Sequence, residues 1–457
     1  MNAASEMHPL QVAIVGSGPS GFYAAEALLK ARPDVKIDML DRLPTPFGLV
    51  RGGVAPDHPK IKQVILVYER IARNERFSYL GNIEVGMHVS VAQLQAAYHA
   101  VILAFGASAD RRLDIPGEDL PGSHTATEFV GWYNGHPDFR DRRFDFDCER
   151  AVVIGQGNVA ADVARILATP VDALAGTDIA GHALDALSRS RIRDIFVIGR
   201  RGPAQAKFTA VELKEFATIR DCAAVADPDD LVLNPQSEEE LAAVGGDECR
   251  KNIALFRSFS QGDPVASSRR VHFRFLESPL RLCGERAVEA IELTRNRLEG
   301  DAFQQIAVAD GSTRRLDCGL VFRSVGYRGE PMPGAPFDMR SRTIPNVRGR
   351  CVEGGGTIPG LYVTGWIKRG PTGIIGTNRA DSVETVAAVL EDFQGTPPHP
   401  KPGSRLLVEA LGTRGQRITS YAEWQRIDSA EQGRGRPKGK PREKFTKIVE
   451  MLECLDH

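Results

Sequence analysis

The sequence has no CxxC pair, no long apolar run and no excess of either charge. Its seven cysteines, Cys148, Cys222, Cys249, Cys283, Cys318, Cys351 and Cys454, are odd in number and widely scattered. That distribution argues against a disulfide framework and against a zinc or iron–sulfur site built from one segment. It also argues against a flavoenzyme that shuttles electrons through a dithiol. Isolated reduced thiols and no resident metal are the expectation. No stretch reaches the ~18 uninterrupted apolar residues of a membrane span. The opening MNAASEMHP lacks the basic start and apolar run of a signal peptide, which points to a cytoplasmic location without membrane insertion. With 58 basic and 59 acidic residues and a net charge of −1, bulk electrostatics give no case for nucleic acid.

What is present suits a globular chain. It has 457 residues, 42% hydrophobic and 26% charged, enough for two or three domains. Two segments read as strand, glycine turn, helix. In the first, Gln11–Val15 leads into Gly16-x-Gly18-x-x-Gly21 and an apolar-periodic run to about Lys30. In the second, Ala151–Ile154 leads into Gly155-Gln156-Gly157-Asn158 and a helical run to about Leu167. Short β-branched runs of this kind are typical of strands buried on both faces. Further buried strands are expected at 35–40, 100–104, 194–198, 319–324 and 361–364. A helical insertion is expected over 170–190, and the Glu238–Glu240 run reads as a solvated helix face. The basic segment Arg434–Lys447 cannot be helical throughout, because Pro437 and Pro441 lack the amide a helix interior needs.

The first glycine turn has the form of a dinucleotide fingerprint. Its glycines allow the tight turn, the close approach of a pyrophosphate and the packing of helix on strand. A following strand ends at Asp41, close to the spacing expected for a carboxylate that binds a ribose. The glycine- and proline-rich passage from Pro44 to Lys60 and the strand-to-glycine run Tyr98–Ala107, which contains Gly106, favour FAD over NAD. The second turn differs at its next strand end. Where an NAD site places Asp or Glu, this chain has Arg200 and Arg201. A carboxylate would repel a 2′-phosphate, whereas guanidinium groups bind it bidentately, so this turn is assigned to NADP(H).

The strings GSGPSGFYAAEALL, LPTPFGLVRGGVAPDHPKIK, GQGNVAADVARIL, GRRGPAQAKFTAVELKEF and GLYVTGWIKRGPTGIIGTN together resemble the adrenodoxin-reductase family, which includes bacterial NADPH–ferredoxin reductases. The resemblance runs from about residue 10 to the C-terminus and departs at His99, where the family usually has Asp. It implies an α/β fold of two Rossmann-like, doubly wound domains. An NADP domain at 109–325 would be inserted into a discontinuous FAD domain at 1–108 and 326–457. It further implies that Gly16, Gly18, Pro19, Ser20 and Gly21 contact the pyrophosphate of non-covalent FAD and that Asp41 binds its ribose. Leu49, Arg51, Val85, Gly106, Trp366, Gly373, Ile374 and Ile375 match other FAD positions. Arg111, Gln156, Gly157, Asn158, Val159, Arg200, Arg201, Glu212 and Gly373 match NADP contacts. His58 and Glu215 match residues near the redox centre. Hydride transfer itself needs no general acid, so these two would relay a proton or tune polarity.

The activity implied is NADPH–ferredoxin oxidoreduction by a monomer or weak dimer, with an acidic ferredoxin, or flavodoxin, as the electron partner. Docking an acidic partner calls for a basic face. Arg191, Arg193 and the Arg434–Lys447 stretch, with Lys438, Lys440 and Arg442, are the candidates. The competing readings are the FAD/NADPH subunit of a larger complex of glutamate-synthase type and a non-catalytic FAD/NADP-binding protein.

Overall fold

The structure, a computed structural model, describes residues 8–243, 245–262, 267–394 and 399–456. Two doubly wound sheets carry the chain. The first has seven strands in the order Asn346–Val347, Arg350–Glu353, Gly356–Val363, Ala100–Leu103, Leu10–Val15, Val35–Leu40 and Phe77–Leu80. The five from Gly356–Val363 onward run parallel, and the two at the other edge are antiparallel. The second is fully parallel, in the order Ser123–Thr125, Leu320–Arg323, Arg150–Ile154, Asp194–Ile198, Arg269–Arg274 and Cys222–Ala226. An antiparallel meander of Glu277–Cys283, Ala290–Glu299 and Ile306–Asp317 flanks it.

Leu10, Val12, Ala13 and Ile14 are fully buried, as are Ala151, Val152 and Val153, which explains why both strands read as continuous apolar runs. The helix Pro19–Ala31 starts with proline at its first turn, where a missing amide costs nothing. It packs against the helix Thr377–Asp392, and Ser382 Oγ donates to the Ser20 carbonyl at 2.9 Å. The two sheets have separate aromatic cores. Phe22, Phe47 and Tyr68 with Trp424 fill the first, and Phe129, Phe144 and Phe322 with Trp132 fill one face of the second. The expected strands lie within a few residues of their predicted ends, and the 170–190 insertion forms the helices Val171–Ala175 and Gly181–Leu187.

Three features tie the two sheets together. The chain leaves the first sheet through Ala109–Asp110 and returns through Tyr327–Arg328, and these segments pair with each other in a two-residue antiparallel ladder. Around the nucleotide cleft, Arg165 joins carboxylates from both sides. The third tie is the C-terminal basic segment, and here the structure corrects the sequence reading. After the helix Tyr421–Gly435 and one 3-10 turn, the chain runs back as a strap. Lys440 donates to the Ile179 carbonyl and Glu443 accepts from the Gly181 amide at 3.0 Å. Arg442 pairs with Asp428, and Lys444 lies 3.3 Å from Asp178, which Lys62 also engages at 2.7 Å. Lys440 and Lys444 are buried, so neither is free to meet a partner protein. The reason is tertiary: Asp178, in the helical insertion, draws in the Lys62 and Lys444 ammonium groups, and Glu443 and the Ile179 carbonyl take Lys440. Glu240 is a second correction. It accepts hydrogen bonds from Gln205 and Gln305 and from the Phe303 amide, so only Glu238 and Glu239 form a solvated face.

Burial pushes the Lys444 pKa down to about 7, with Asp178 pulling it up and Lys62 adding repulsion. Above that value the folded protein has released a proton that the unfolded chain keeps until about 10.5. The unfolded state then binds more protons, so this residue makes stability rise with pH across the window and lowers it as pH falls toward 7. Lys444→Met removes that slope. Urea unfolding is expected to show wild type gaining about 1–2 kcal/mol on the variant between roughly pH 7 and 9. Equal pH dependence in the two proteins would refute the assignment.

Candidate functional site

The first glycine turn is shaped by contacts that forbid side chains. Gly16 has φ +111°, and a Cβ there would lie 2.6 Å from the Ala104 carbonyl oxygen. A Cβ on Gly21 would enter the Gly16 carbonyl, whereas Gly18 faces open space with nothing within 4 Å. The helix that follows has Gly18 at its N-cap with no side chain satisfying its first amides. An open, uncapped helix start behind three glycines is the cradle a pyrophosphate fits. Asp41 braces this turn. It accepts from the Ser17 amide at 3.0 Å and the Leu43 amide at 2.9 Å, and Ser17 Oγ also donates to it.

A second layer comes from the far end of the chain. At Gly365, φ +77° and ψ −151° place the backbone where only glycine sits easily, and a Cβ would enter Ser20 Oγ. Its amide donates to Asp381, and Arg369 braces the same carboxylate at 2.9 Å. Asn378 accepts from Ser20 Oγ at 3.0 Å and from Arg369 at 2.9 Å, which locks the Trp366–Ile375 turn onto the first glycine loop. Trp366 stands 5.3 Å, ring to ring, from Tyr327, and its indole Nε1 is buried without a partner. Leu49 and Ile374 are 42% and 67% exposed. An orphaned donor, exposed apolar side chains and an open cradle fit an isoalloxazine–adenine dinucleotide. Gly373, Ile375 and Gly106 border the same turns, while Val85 is buried in a bridge to Val89. Arg51 has a bracing role that the sequence reading did not include. Its guanidinium makes a bidentate pair with buried Glu431, at 2.5 and 2.9 Å, and lies over the Trp424 ring. Its side chain braces the C-terminal helix.

The second turn repeats the first. Gly155 has φ +139° and abuts the Ser324 carbonyl, and Gly157 caps the helix Asn158–Ala168 with no side-chain partner for its first amides. Gln156 is held twice: its backbone carbonyl accepts from the Lys207 amide at 2.7 Å, and its side-chain amide donates to the Arg274 carbonyl at 3.0 Å. Asn158 accepts from the Thr209 amide at 2.9 Å, and Val159 begins the buried helix face. Arg200 and Arg201 follow the Asp194–Ile198 strand. Their carbonyls are pinned by Asn296 and by the Leu276 amide, and neither guanidinium forms an ion pair among the described residues. Two free guanidinium groups at this strand end fit a 2′-phosphate. Arg111 lies at the ladder between the sheets, its amide donating to Gly326 at 2.9 Å.

The two halves meet at His58. His58 Nε2 is 2.9 Å from Glu215 and 3.7 Å from Glu212, and His58 Nδ1 is 3.9 Å from Asp162. Arg165 donates to Asp57 and Asp162 and lies 3.1 Å from Glu215. Burial works against the charged imidazole, but the Glu215 hydrogen bond and the carboxylates of Glu212 and Asp162 outweigh it and the Arg165 charge, so the His58 pKa rises. Glu215 moves down: burial raises it, but His58 and Arg165 lower it further. Burial, with Asp162 beside it, pushes Glu212 up to about 7. His58 and Glu215 thus share a hydrogen bond between two chain segments, beside a carboxyl group that is half protonated near pH 7. Asp57, Asp162 and Arg165 were not among the expected site residues. The Asp162/Arg165 pair at helical spacing was their one visible signal.

Paired uncapped glycine turns on two sheets, with one set of free arginines, define a two-nucleotide flavoprotein oxidoreductase. Residues 10–173 match the pyridine nucleotide-disulphide oxidoreductase family model. The chain is 48% identical, over 98% of its length and 99% of the relative's, to NADPH-ferredoxin reductase FprA of Mycobacterium tuberculosis. It is 43% identical to the mitochondrial NADPH:adrenodoxin oxidoreductase of Bos taurus, over 98% of this chain and 92% of that one. The solved structure of M. tuberculosis FprA in complex with NADPH superposes with a TM-score of 0.93 at 46% identity, covering 98% of this chain and 100% of that one. The chain therefore belongs to the family of NADPH–ferredoxin and NADPH:adrenodoxin reductases.

The layer beneath the flavin cradle can be tested at its tightest point. Gly365→Ala forces a Cβ into Ser20 and into an unfavourable backbone region, an effect of about 1–3 kcal/mol. The variant is expected to unfold at lower temperature and to lose its flavin at lower denaturant than wild type, read from flavin fluorescence. Unchanged flavin retention would show that the Gly365–Ser20 contact does not support the cradle.

Proposed function

We propose that this protein is an NADPH-dependent ferredoxin reductase in which the two glycine turns hold FAD and NADP(H) and His58 with Glu215 carries the proton that accompanies electron transfer. The observation that carries the reading is a pair of nucleotide turns, one ending in unpaired arginines, in a chain related over nearly its whole length to reductases of this name. The division proposed is 1–108 with 326–457 for FAD and 109–325 for NADP, and the Ala109–Asp110/Tyr327–Arg328 ladder at the two crossings supports it. When bound, FAD supplies hydride exchange with the nicotinamide and single-electron exchange with an iron–sulfur centre. The chain supplies the rest. Gly16–Gly21 and Gly155–Val159 present amides to the pyrophosphates, Asp41 faces the adenosine ribose, and Arg200 and Arg201 take the 2′-phosphate. Trp366 and Gly373–Ile375 flank the flavin, and Glu212, which keeps its proton up to about pH 7, donates to the nucleotide in its protonated form. His58 Nε2 and Glu215 hold one proton between them, on the path between cleft and solvent.

For an acidic ferredoxin the basic face is smaller than the sequence implied. Arg434, Arg436, Lys438 and Lys447 remain exposed, whereas Lys440 and Lys444 do not. Arg191 is exposed but paired with Asp147 at 2.9 Å, and Arg193 is exposed. Such an enzyme would work in the cytoplasm beside its partner. Among the described residues no helix is long and apolar enough to cross a membrane.

Anaerobic stopped-flow tests the assignment. NADPH is expected to bleach the flavin far faster than NADH, and a small ferredoxin to restore its absorption. Arg200→Ala and Arg201→Ala should each weaken NADPH binding about tenfold or more while changing NADH little. Bleaching by both nucleotides alike would overturn the NADP assignment, and no reoxidation by ferredoxin would overturn the partner. Arg436→Glu with Lys438→Glu should slow the ferredoxin step at low salt and leave dye reduction unchanged. No change would remove the strap surface from docking.

A further inference from the structure

The cleft residues form a geometry that proton sharing does not require. The donor atoms of His58, Glu212 and Glu215 all lie within 4.8 Å of one another. Glu212 and Glu215 stand three residues apart on one face of the helix Ala210–Glu215, and His58 approaches from the other side of the cleft, at the start of the helix Pro59–Lys62. Glu212 is 8% exposed, and its Oε2, 3.7 Å from His58 Nε2, is buried with no hydrogen-bond partner. A buried carboxylate oxygen without a donor is an unsatisfied acceptor that a cation satisfies.

We propose that His58, Glu212 and Glu215 form a zinc-binding site, with one imidazole nitrogen and two carboxylate oxygens as ligands. Zinc binds such donors at about 2.0–2.2 Å, which places tetrahedral donor pairs about 3.3 Å apart. The two His58–carboxylate separations, 2.9 and 3.7 Å, straddle that value, and the third side of the triangle is no longer than 4.8 Å, so side-chain rotations can close it. One coordination position stays open for water. Asp162 lies on the Nδ1 side of the ring, where an outer-shell carboxylate orients a ligating histidine. The local charge favours a dication. Asp57, Asp162 and Glu215 share a single guanidinium, Arg165, which lies 3.1 Å from Glu215, and Glu212 gives up its proton when it ligates the metal. Resting on the functional reading above, zinc there occupies the carboxyl group offered to the nucleotide and the nitrogen that carries the proton, so it competes with NADP(H).

Titration calorimetry of the flavin-loaded protein with zinc chloride in a non-chelating buffer tests the site. One zinc per chain is expected in wild type, weakened at least tenfold in Glu212→Gln and in His58→Gln, with magnesium showing no comparable binding. Saturating NADP+ is expected to weaken zinc binding about tenfold. Crystals soaked in zinc provide a measurement that does not depend on a variant folding, through an anomalous peak at the zinc edge between the three side chains. A peak elsewhere, no peak, or variants that bind zinc as wild type does would overturn the site. Variant-sensitive binding that NADP+ leaves unchanged would uphold the site and count against Glu212 as a nucleotide contact.

Discussion

The cleft depends on the Arg165 guanidinium. It is buried on the helix that starts at the second glycine turn, and it reaches Asp57 from one side of the cleft and Asp162 and Glu215 from the other. A buried cation is tolerated only when its partners are in place. The pairing therefore imposes a distance between the two halves, and the 2.9 Å contact of His58 with Glu215 follows from it. The helix that starts at Gly157 is the same rod that carries Arg165, so the second glycine turn and the His58–Glu215 pair are mechanically linked.

Asp178 repeats this logic at the opposite flank. It takes Lys62 from beside the cleft and Lys444 from the C-terminal strap, where burial and the Lys62 charge both lower the Lys444 pKa. The strap then ties back through Glu431, which receives Arg51 and the Phe445 amide. The residues that shape the flavin loop are thus held from the far end of the chain, first through the Gly365–Ser20 contact and again through Arg51 and Glu431. The cofactor cradle is assembled by tertiary contacts as much as by its own turn.

Much of the fold was legible because it is locally encoded. The strands at Leu10–Val15 and Arg150–Ile154 are β-branched runs, and the glycines that follow them sit where a Cβ would strike a carbonyl. Arg200 and Arg201 were legible for a similar reason: their meaning comes from the strand end they occupy. What escaped the sequence is decided by residues far apart in it. Lys440 and Lys444 look like surface charge until Asp178 and Glu443 are beside them. The pairing of Arg51 with Glu431, 380 residues away, has no signal in the sequence. His58 and Glu215, 157 residues apart, come together only through the family pattern or the folded chain. Spacing alone assigns neither Asp57 nor Asp162.

The two-residue ladder at the crossing has a consequence for dissection. Asp110 is the direct cross-strand partner of Tyr327, so the chain enters and leaves the second sheet at neighbouring points. Opposed residues in such a ladder stand about 5 Å apart. One or two linking residues would span that gap. The intervening segment is therefore a closed excursion, topologically removable and exchangeable, and the first sheet can be re-joined without rerouting any of its own strands.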